Sequence, residues 1–181
     1  MRYKQLKFQI QRIEIIKKNL TKFFLNGVNW LSLCWGYSHC GLVICIGNFR
    51  AQEWQMFHLL AAVCAFFCFL MYAIGTTYIL HHVHLSGLES APNSLKASIY
   101  LMILSMFGGF STLLLSMWIV GINVLDKHKG LQWSSNQLGD TIHDISALFQ
   151  WMIFDVIAFH LLCIARRVYR FNYWEQIKFT C

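Results

Sequence analysis

Trp54–Leu80 reads WQMFHLLAAVCAFFCFLMYAIGTTYIL, and no Asp, Glu, Lys or Arg interrupts it. A helix rises about 1.5 Å per residue and the hydrocarbon core of a bilayer is about 30 Å thick, so about 20 apolar residues suffice to cross it. This stretch exceeds that length. Upstream, Phe23–Phe49 is equally free of charge, and downstream so is Ala97–Leu125. A fourth stretch, Ile145–Ala165, carries one acid, Asp155, and stops at Arg166-Arg167. The connections Arg50–Glu53, His81–Lys96 and Asp126–Asp144 are short, which makes neighbouring helices antiparallel. The sole proline, Pro92, falls in the second connection, where its missing N–H interrupts no helix. The expected fold is therefore all-α: a polytopic membrane protein built as an antiparallel four-helix transmembrane bundle over residues 23–165. A basic segment, residues 1–22, precedes the bundle, and a basic tail, residues 166–181, follows it.

Composition agrees. Of 181 residues, 57% are hydrophobic and only 13% charged, with a mean hydropathy of +0.48. Soluble domains carry about 25% charged residues, so a water-facing exterior cannot be assembled from this chain. A soluble enzyme, a disordered protein and a nucleic-acid binder are poor fits. The net charge of +7 invites a nucleic-acid partner, but its distribution argues for topology instead. Twelve of the fifteen Lys and Arg fall on one side of the four spans: seven before Phe23, Lys96 in the second connection, and Arg166, Arg167, Arg170 and Lys178 after the last span. Arg50, Lys127 and Lys129 take the other side. By the positive-inside rule both termini are expected in the cytosol.

The basic segment is not expected to be a cleavable signal peptide, since its apolar stretch begins late and is too long. Leu6, Ile10, Ile13, Ile16 and Leu20 recur at helical spacing and form an apolar stripe beside Lys7, Lys17, Lys18 and Lys22. Such a helix suits the surface of an anionic cytosolic leaflet. A solvated linker whose charges merely fix topology fits the same residues, and both readings stay open.

Few residues suggest chemistry. Six of the seven cysteines fall inside the spans and none forms a CxxC pair, so buried small hydrophobes are the expectation. His39, His58 and His160 lie in spans, and histidine pairs in a membrane bundle can hold haem. The third span contributes no histidine, which favours hydrogen-bonded structural roles. Asp155 is the one carboxylate in mid-span, where its charge costs about 2.5–3.5 kcal/mol; it is expected to face the bundle, either protonated or bonded to a polar neighbour. Ser105 and Gly109 form a small-xxx-small pair suited to close helix contact within the bundle. With no nucleophile–base pair, phosphate-cradling loop or metal motif, the chain is expected to be no enzyme, with no catalytic residue, metal or cofactor.

Specific spacings are informative. The first span ends in Gly47-Asn48-Phe49, and His58, Ala61-Ala62, Phe66-Phe67 and Tyr72 follow. Later come Trp133, His143, Ser146-Ala147 and Trp151. Their order and spacing closely resemble the damage-regulated autophagy modulator (DRAM) family within the Frag/DRAM/Sfk group of membrane proteins, whose members show a G-N-F-Q-like helix end, H-x-x-G-A, and a W…H…S-A-x-x-E-W series. Arg2-Tyr3-x-Gln5 resembles the family's cytosolic stretch after its second helix. Arg50, Ala61 and Gln150 depart from the usual Gln, Gly and Glu. Family members have six helices, and this chain corresponds to the last four.

The resemblance implies a non-enzymatic multi-pass protein that modulates autophagy in lysosomal or other endomembranes. Asn48, Phe49, His58, Trp133, His143 and Trp151 are the family-motif positions, expected to serve packing and lumen-side loop geometry. Expected partners are the bilayer, through Lys17, Lys18, Lys22, Arg166, Arg167 and Arg170, and unidentified membrane or cytosolic proteins, with no nucleic acid. Two alternatives compete: a plasma-membrane scaffold for phosphoinositide-kinase assembly or lipid organisation, and a haem or ion-handling bundle using His39, His58, His160 and Asp155.

Overall fold

A computed structural model of the chain describes residues 2–14, 20–49, 53–120 and 137–171. Five helices follow in order: α1 Arg2–Glu14, α2 Leu20–Asn48, α3 Gln55–Leu85, α4 Asn93–Val120 and α5 Gln137–Tyr169. Four contain segments long and apolar enough to cross a membrane: Phe23–Asn48, Met56–Leu85, Asn93–Leu115 and Asp144–Tyr169. No strand occurs among the described residues. The chain is a helical membrane bundle.

Two antiparallel pairs form the bundle. On α2 and α3, His39 meets Ala65, Trp35 meets Phe67 and Phe24 meets Tyr78. One number rises as the other falls, as antiparallel packing requires. On α4 and α5, Ser98 meets His160 while Gly109 meets Ser146 and Phe149. The two pairs join through Phe69 and Ala73 of α3, which pack with Met102 of α4 and Ile153 and Ile157 of α5. Outside, Trp30, Tyr100, Phe107 and Leu162 stand exposed. Such apolar exteriors are stable against lipid tails and not against water.

Close approach is set by small residues. Gly108 and Gly109 lie against the Phe149 side chain, and the Ser146 hydroxyl donates to the Gly109 carbonyl at 3.1 Å. Ser105 is buried on the same helix. The small-residue stripe of α4 therefore packs within this bundle, as its spacing suggests.

Helix α1 packs against the bundle. Leu6 and Ile10 are fully buried in one cluster with Leu25, Ile79, Leu80, Val83, Leu95 and Ile164. Leu6 and Ile10 of the apolar stripe thus pack on the end of the bundle, and this part of it faces neither a leaflet nor solvent. A counter-surface supplied by all four spans makes this possible, and burying each large aliphatic side chain is worth about 1.5–3 kcal/mol. The side chains of Arg12 to Lys22 lie outside the described residues.

Candidate functional site

The end of the bundle that receives α1 carries a polar network. It is organised by the turn after α3. Gly87, with φ +73°, ends the helix in the left-handed region that glycine adopts without strain. Leu88 N–H then reaches back to the Val83 carbonyl at 3.2 Å, and Gly87 N–H to the His84 carbonyl at 2.8 Å. These are the two bonds of a Schellman cap, sealed by Val83 and Leu88 packing in the same cluster. The turn delivers Glu89 to the middle of the bundle's end.

Two helices converge on that carboxylate. Arg167 of α5 donates to Glu89 Oε2 at 3.1 Å, and Gln9 of α1 donates to Oε1 at 2.9 Å. Arg167 also donates to the carbonyls of Ser90 at 3.1 Å and Ala91 at 2.8 Å. One planar guanidinium thus holds the whole α3–α4 connection against α5. Nearby, Arg2 donates to Gln5 Oε1 at 2.6 Å, and Asn29 of α2 donates to the Tyr3 carbonyl at 3.2 Å. Arg2 Nε and Nη2 are out of solvent with no partner among the described residues. Loss of hydration there pushes the Arg2 guanidinium down to about 10; the fields of Glu89 and Tyr72 pull the other way, and Arg167 adds to the fall.

Beside this frame lies an open cavity of about 450 Å³ between the start of α4 and the last turns of α5. Ser94 of α4 and Phe159, Cys163, Arg166 and Arg170 are among the residues that line it. Arg166 and Arg170 are exposed, whereas Arg167 is half-buried in its pair with Glu89. The basic cluster therefore divides into one structural arginine and two outward-facing ones. Glu89 was not singled out from sequence, although it is the lone acid in a connection on the Lys- and Arg-rich side.

Of the family-motif residues, Asn48, Phe49 and His58 lie together at the α2–α3 turn, at the other end. Phe49 follows α2, and its ring meets Phe57 at 4.6 Å and Trp54 at 6.2 Å. His58 Nδ1 bonds the Phe49 carbonyl at 2.8 Å, closing the α2–α3 turn. Asn48 is exposed and donates to the Ile44 carbonyl at 2.8 Å. Trp151 is 70% exposed on α5 and tilts against Phe154. His143 lies in α5, but its side chain is outside the described residues, as are Trp133, Lys17 and Lys18 entirely and the side chain of Lys22.

Of the histidines proposed for haem or ion handling, His39 and His160 each bond a group on a neighbouring helix. His39 Nδ1 bonds the Ala65 carbonyl at 2.9 Å, and His160, fully buried, bonds the Ser98 hydroxyl at 2.7 Å. No cluster of three His, Cys, Asp or Glu forms among the described residues. Asp155 corrects an expectation. Its side chain is exposed, not turned into the bundle. Ser146, Ile153, Ile157, His160 and Ile164 form the buried face of α5, and at 100° per residue Asp155 falls on the opposite side. Isolated charge cost gives a carboxylate reason to turn inward, but the helix rotates as one body and its apolar and hydroxyl-bonded face takes the core.

No curated protein and no solved structure matches the chain. Residues 1–166, which include α1 and all four spans through the start of the arginine cluster, match the domain described as Frag1/DRAM/Sfk1/Cwh43P N-terminal domain. The motif order, the four-span bundle and this match agree, and the chain belongs to the Frag1/DRAM/Sfk1/Cwh43P family.

Proposed function

We propose that this chain is a non-enzymatic membrane protein of the autophagy-modulating branch of its family, acting by binding and membrane organisation in lysosomal or other endomembranes. The motif series from Asn48 to Trp151 supports that branch. The mode of action rests on one observation: the α1 end is a rigid frame, pinned by Arg167 and Glu89 at 3.1 Å, that holds Arg166 and Arg170 outward. Basic residues fixed beside a bilayer attract an anionic leaflet by about 1 kcal/mol each. With twelve of fifteen Lys and Arg on this side, it is the cytosolic face, and the partners are acidic lipids and proteins docked there.

The test is overexpression of the 181-residue chain with measurement of autophagic flux, beside a variant in which Lys17, Lys18 and Lys22 become Gln. A rise in flux that the variant blunts at equal abundance supports the proposal. Unchanged flux with the intact chain sinks it. Residence of the tagged chain at the cell surface instead of endomembranes favours the plasma-membrane scaffold.

A further inference from the structure

The cavity at the α4–α5 end has two chemistries along its depth. Phe159, Cys163 and Arg166 of α5 and Arg170 just after it recur at spacings of four, three and four, and the Arg170 N–H still bonds the Arg166 carbonyl at 3.1 Å, so they form one stripe along the helix and its last turn. Phe159 and Cys163 lie well inside the span Asp144–Tyr169, whereas Arg166 approaches its end and Arg170 lies beyond it. The Phe159 and Cys163 end, its floor, is therefore at the depth of acyl chains, and the Arg166 and Arg170 end, its mouth, at the depth of headgroups. Its volume, about 450 Å³, lies in the roughly 300–1,000 Å³ range of small-ligand sites.

The charges at the mouth are not self-compensated. Glu89 also lines the cavity, but its carboxylate is taken by Arg167 and Gln9. Arg166 and Arg170 have no ion-pair partner among the described residues, and neither does the Ser94 hydroxyl have a hydrogen-bond partner there. Two guanidiniums and a hydroxyl above an apolar floor match a phosphate esterified to a lipid. A free phosphate would leave Phe159 and Cys163 unused, and a zwitterionic headgroup would bring a cation towards Arg166 and Arg170.

We propose that this cavity is a binding site for one anionic phospholipid, its phosphate held by Arg166, Arg170 and Ser94 and the start of an acyl chain lying on Phe159 and Cys163. The site rests on the anionic-leaflet reading above and gives that reading a stoichiometry and an address. Guanidinium forks suit phosphate oxygens because two N–H groups meet two acceptors at once.

The experiment uses the full chain purified in detergent, with lipid retention read by native mass spectrometry. The probes are phosphatidic acid, phosphatidylcholine and inorganic phosphate. The expected result is one retained phosphatidic acid per chain, little phosphatidylcholine, and no displacement by inorganic phosphate. Arg166→Gln with Arg170→Gln should weaken phosphatidic acid binding about thirtyfold, the product of two headgroup contacts. A second measurement needs no variant: phosphatidic acid should slow maleimide alkylation of Cys163 in the wild-type chain, and inorganic phosphate should not. Equal retention of phosphatidic acid and phosphatidylcholine overturns both the site and the anionic-leaflet reading. Selective retention that survives the double substitution, with Cys163 unprotected, overturns the site alone. Full displacement by inorganic phosphate overturns the lipid assignment and leaves a phosphate site.

Discussion

Arg167 and Glu89 stand 3.1 Å apart although 78 positions separate them in the chain. Both side chains are largely shielded, at 14% and 16% exposure, and the same guanidinium bonds two carbonyls of the α3–α4 connection. Removing it takes a donor from Glu89 Oε2 and from two carbonyls at once, leaving Gln9 on Oε1. Arg167→Met should therefore cost about 2 kcal/mol or more, whereas Arg166→Met, with an exposed and unpaired head, should stay within about 0.5 kcal/mol. Arg167→Lys should rescue little, because a single ammonium cannot span the three acceptors. Unfolding midpoints in detergent on denaturant titration decide this, and equal losses at 166 and 167 would refute it.

Gly75 sits where α2 and α3 touch. A Cβ there would collide with Ser32 Oγ and come within 3.3 Å of Ser32 Cβ and 3.6 Å of Val28 Cγ1. Ser32 cannot swing away freely, since its hydroxyl is bonded to the Val28 carbonyl at 2.8 Å. Gly75→Ala should destabilise by about 1–3 kcal/mol. Gly41→Ala, with open space around the new methyl, should be neutral or gain up to about 1 kcal/mol from helix propensity. Adding Ser32→Ala to Gly75→Ala should recover part of the loss, a non-additivity that a double-mutant cycle measures.

Asp155 faces outward, and this reverses the expectation for its removal. Asp155→Leu takes a carboxylate away from the lipid-facing side of α5 and orphans no inward donor. The substitution should leave the isolated bundle equally stable or raise its stability, by at most the roughly 2.5–3.5 kcal/mol that a central charge costs. Asp155→Asn should fall between. A marked drop in yield or unfolding midpoint for the Leu variant would mean that Asp155 is bonded inside the bundle after all.

Topology follows from the charge asymmetry. With twelve of fifteen Lys and Arg on one side, both termini are expected in the cytosol. Asn19-Leu20-Thr21 is the only N-glycosylation sequon and should remain unmodified in cells. Protease should remove tags at either terminus from sealed, cytosol-side-out vesicles. Protection of either tag, or a glycosidase-sensitive mobility shift, contradicts the assignment.

The candidate site was half legible. Arg166, Arg167 and Arg170 were visible as a basic cluster ending the last span, because charges that stop an apolar run mark a membrane boundary. Their division of labour was not, since Glu89 and Gln9 reach Arg167 only through folding. The His160–Ser98 bond belongs to the same class: two residues inside apolar runs, joined at 2.7 Å by antiparallel packing.

The spans themselves were determined by consecutive residues. Crossing a bilayer needs only length and apolarity, and Trp54–Leu80 supplies both without reference to any other part of the chain. Short connections then left antiparallel neighbours as the available arrangement, and the observed pairs of α2 with α3 and α4 with α5 are antiparallel. Rotation of each helix was another matter. In water, periodicity separates a buried apolar face from a polar one; in a membrane the lipid-facing and core-facing sides are both apolar, so the pattern carries little orientation. Only the tertiary structure decided that Ile153, Ile157 and His160 face the core and Asp155 does not. It also decided where α1 goes. A stripe of Leu6 and Ile10 says that one face seeks apolar company, but not whether that company is lipid or protein. The exposed ends of four packed helices offer a fixed, complementary surface at Leu25, Ile79, Leu80 and Val83, and α1 takes it.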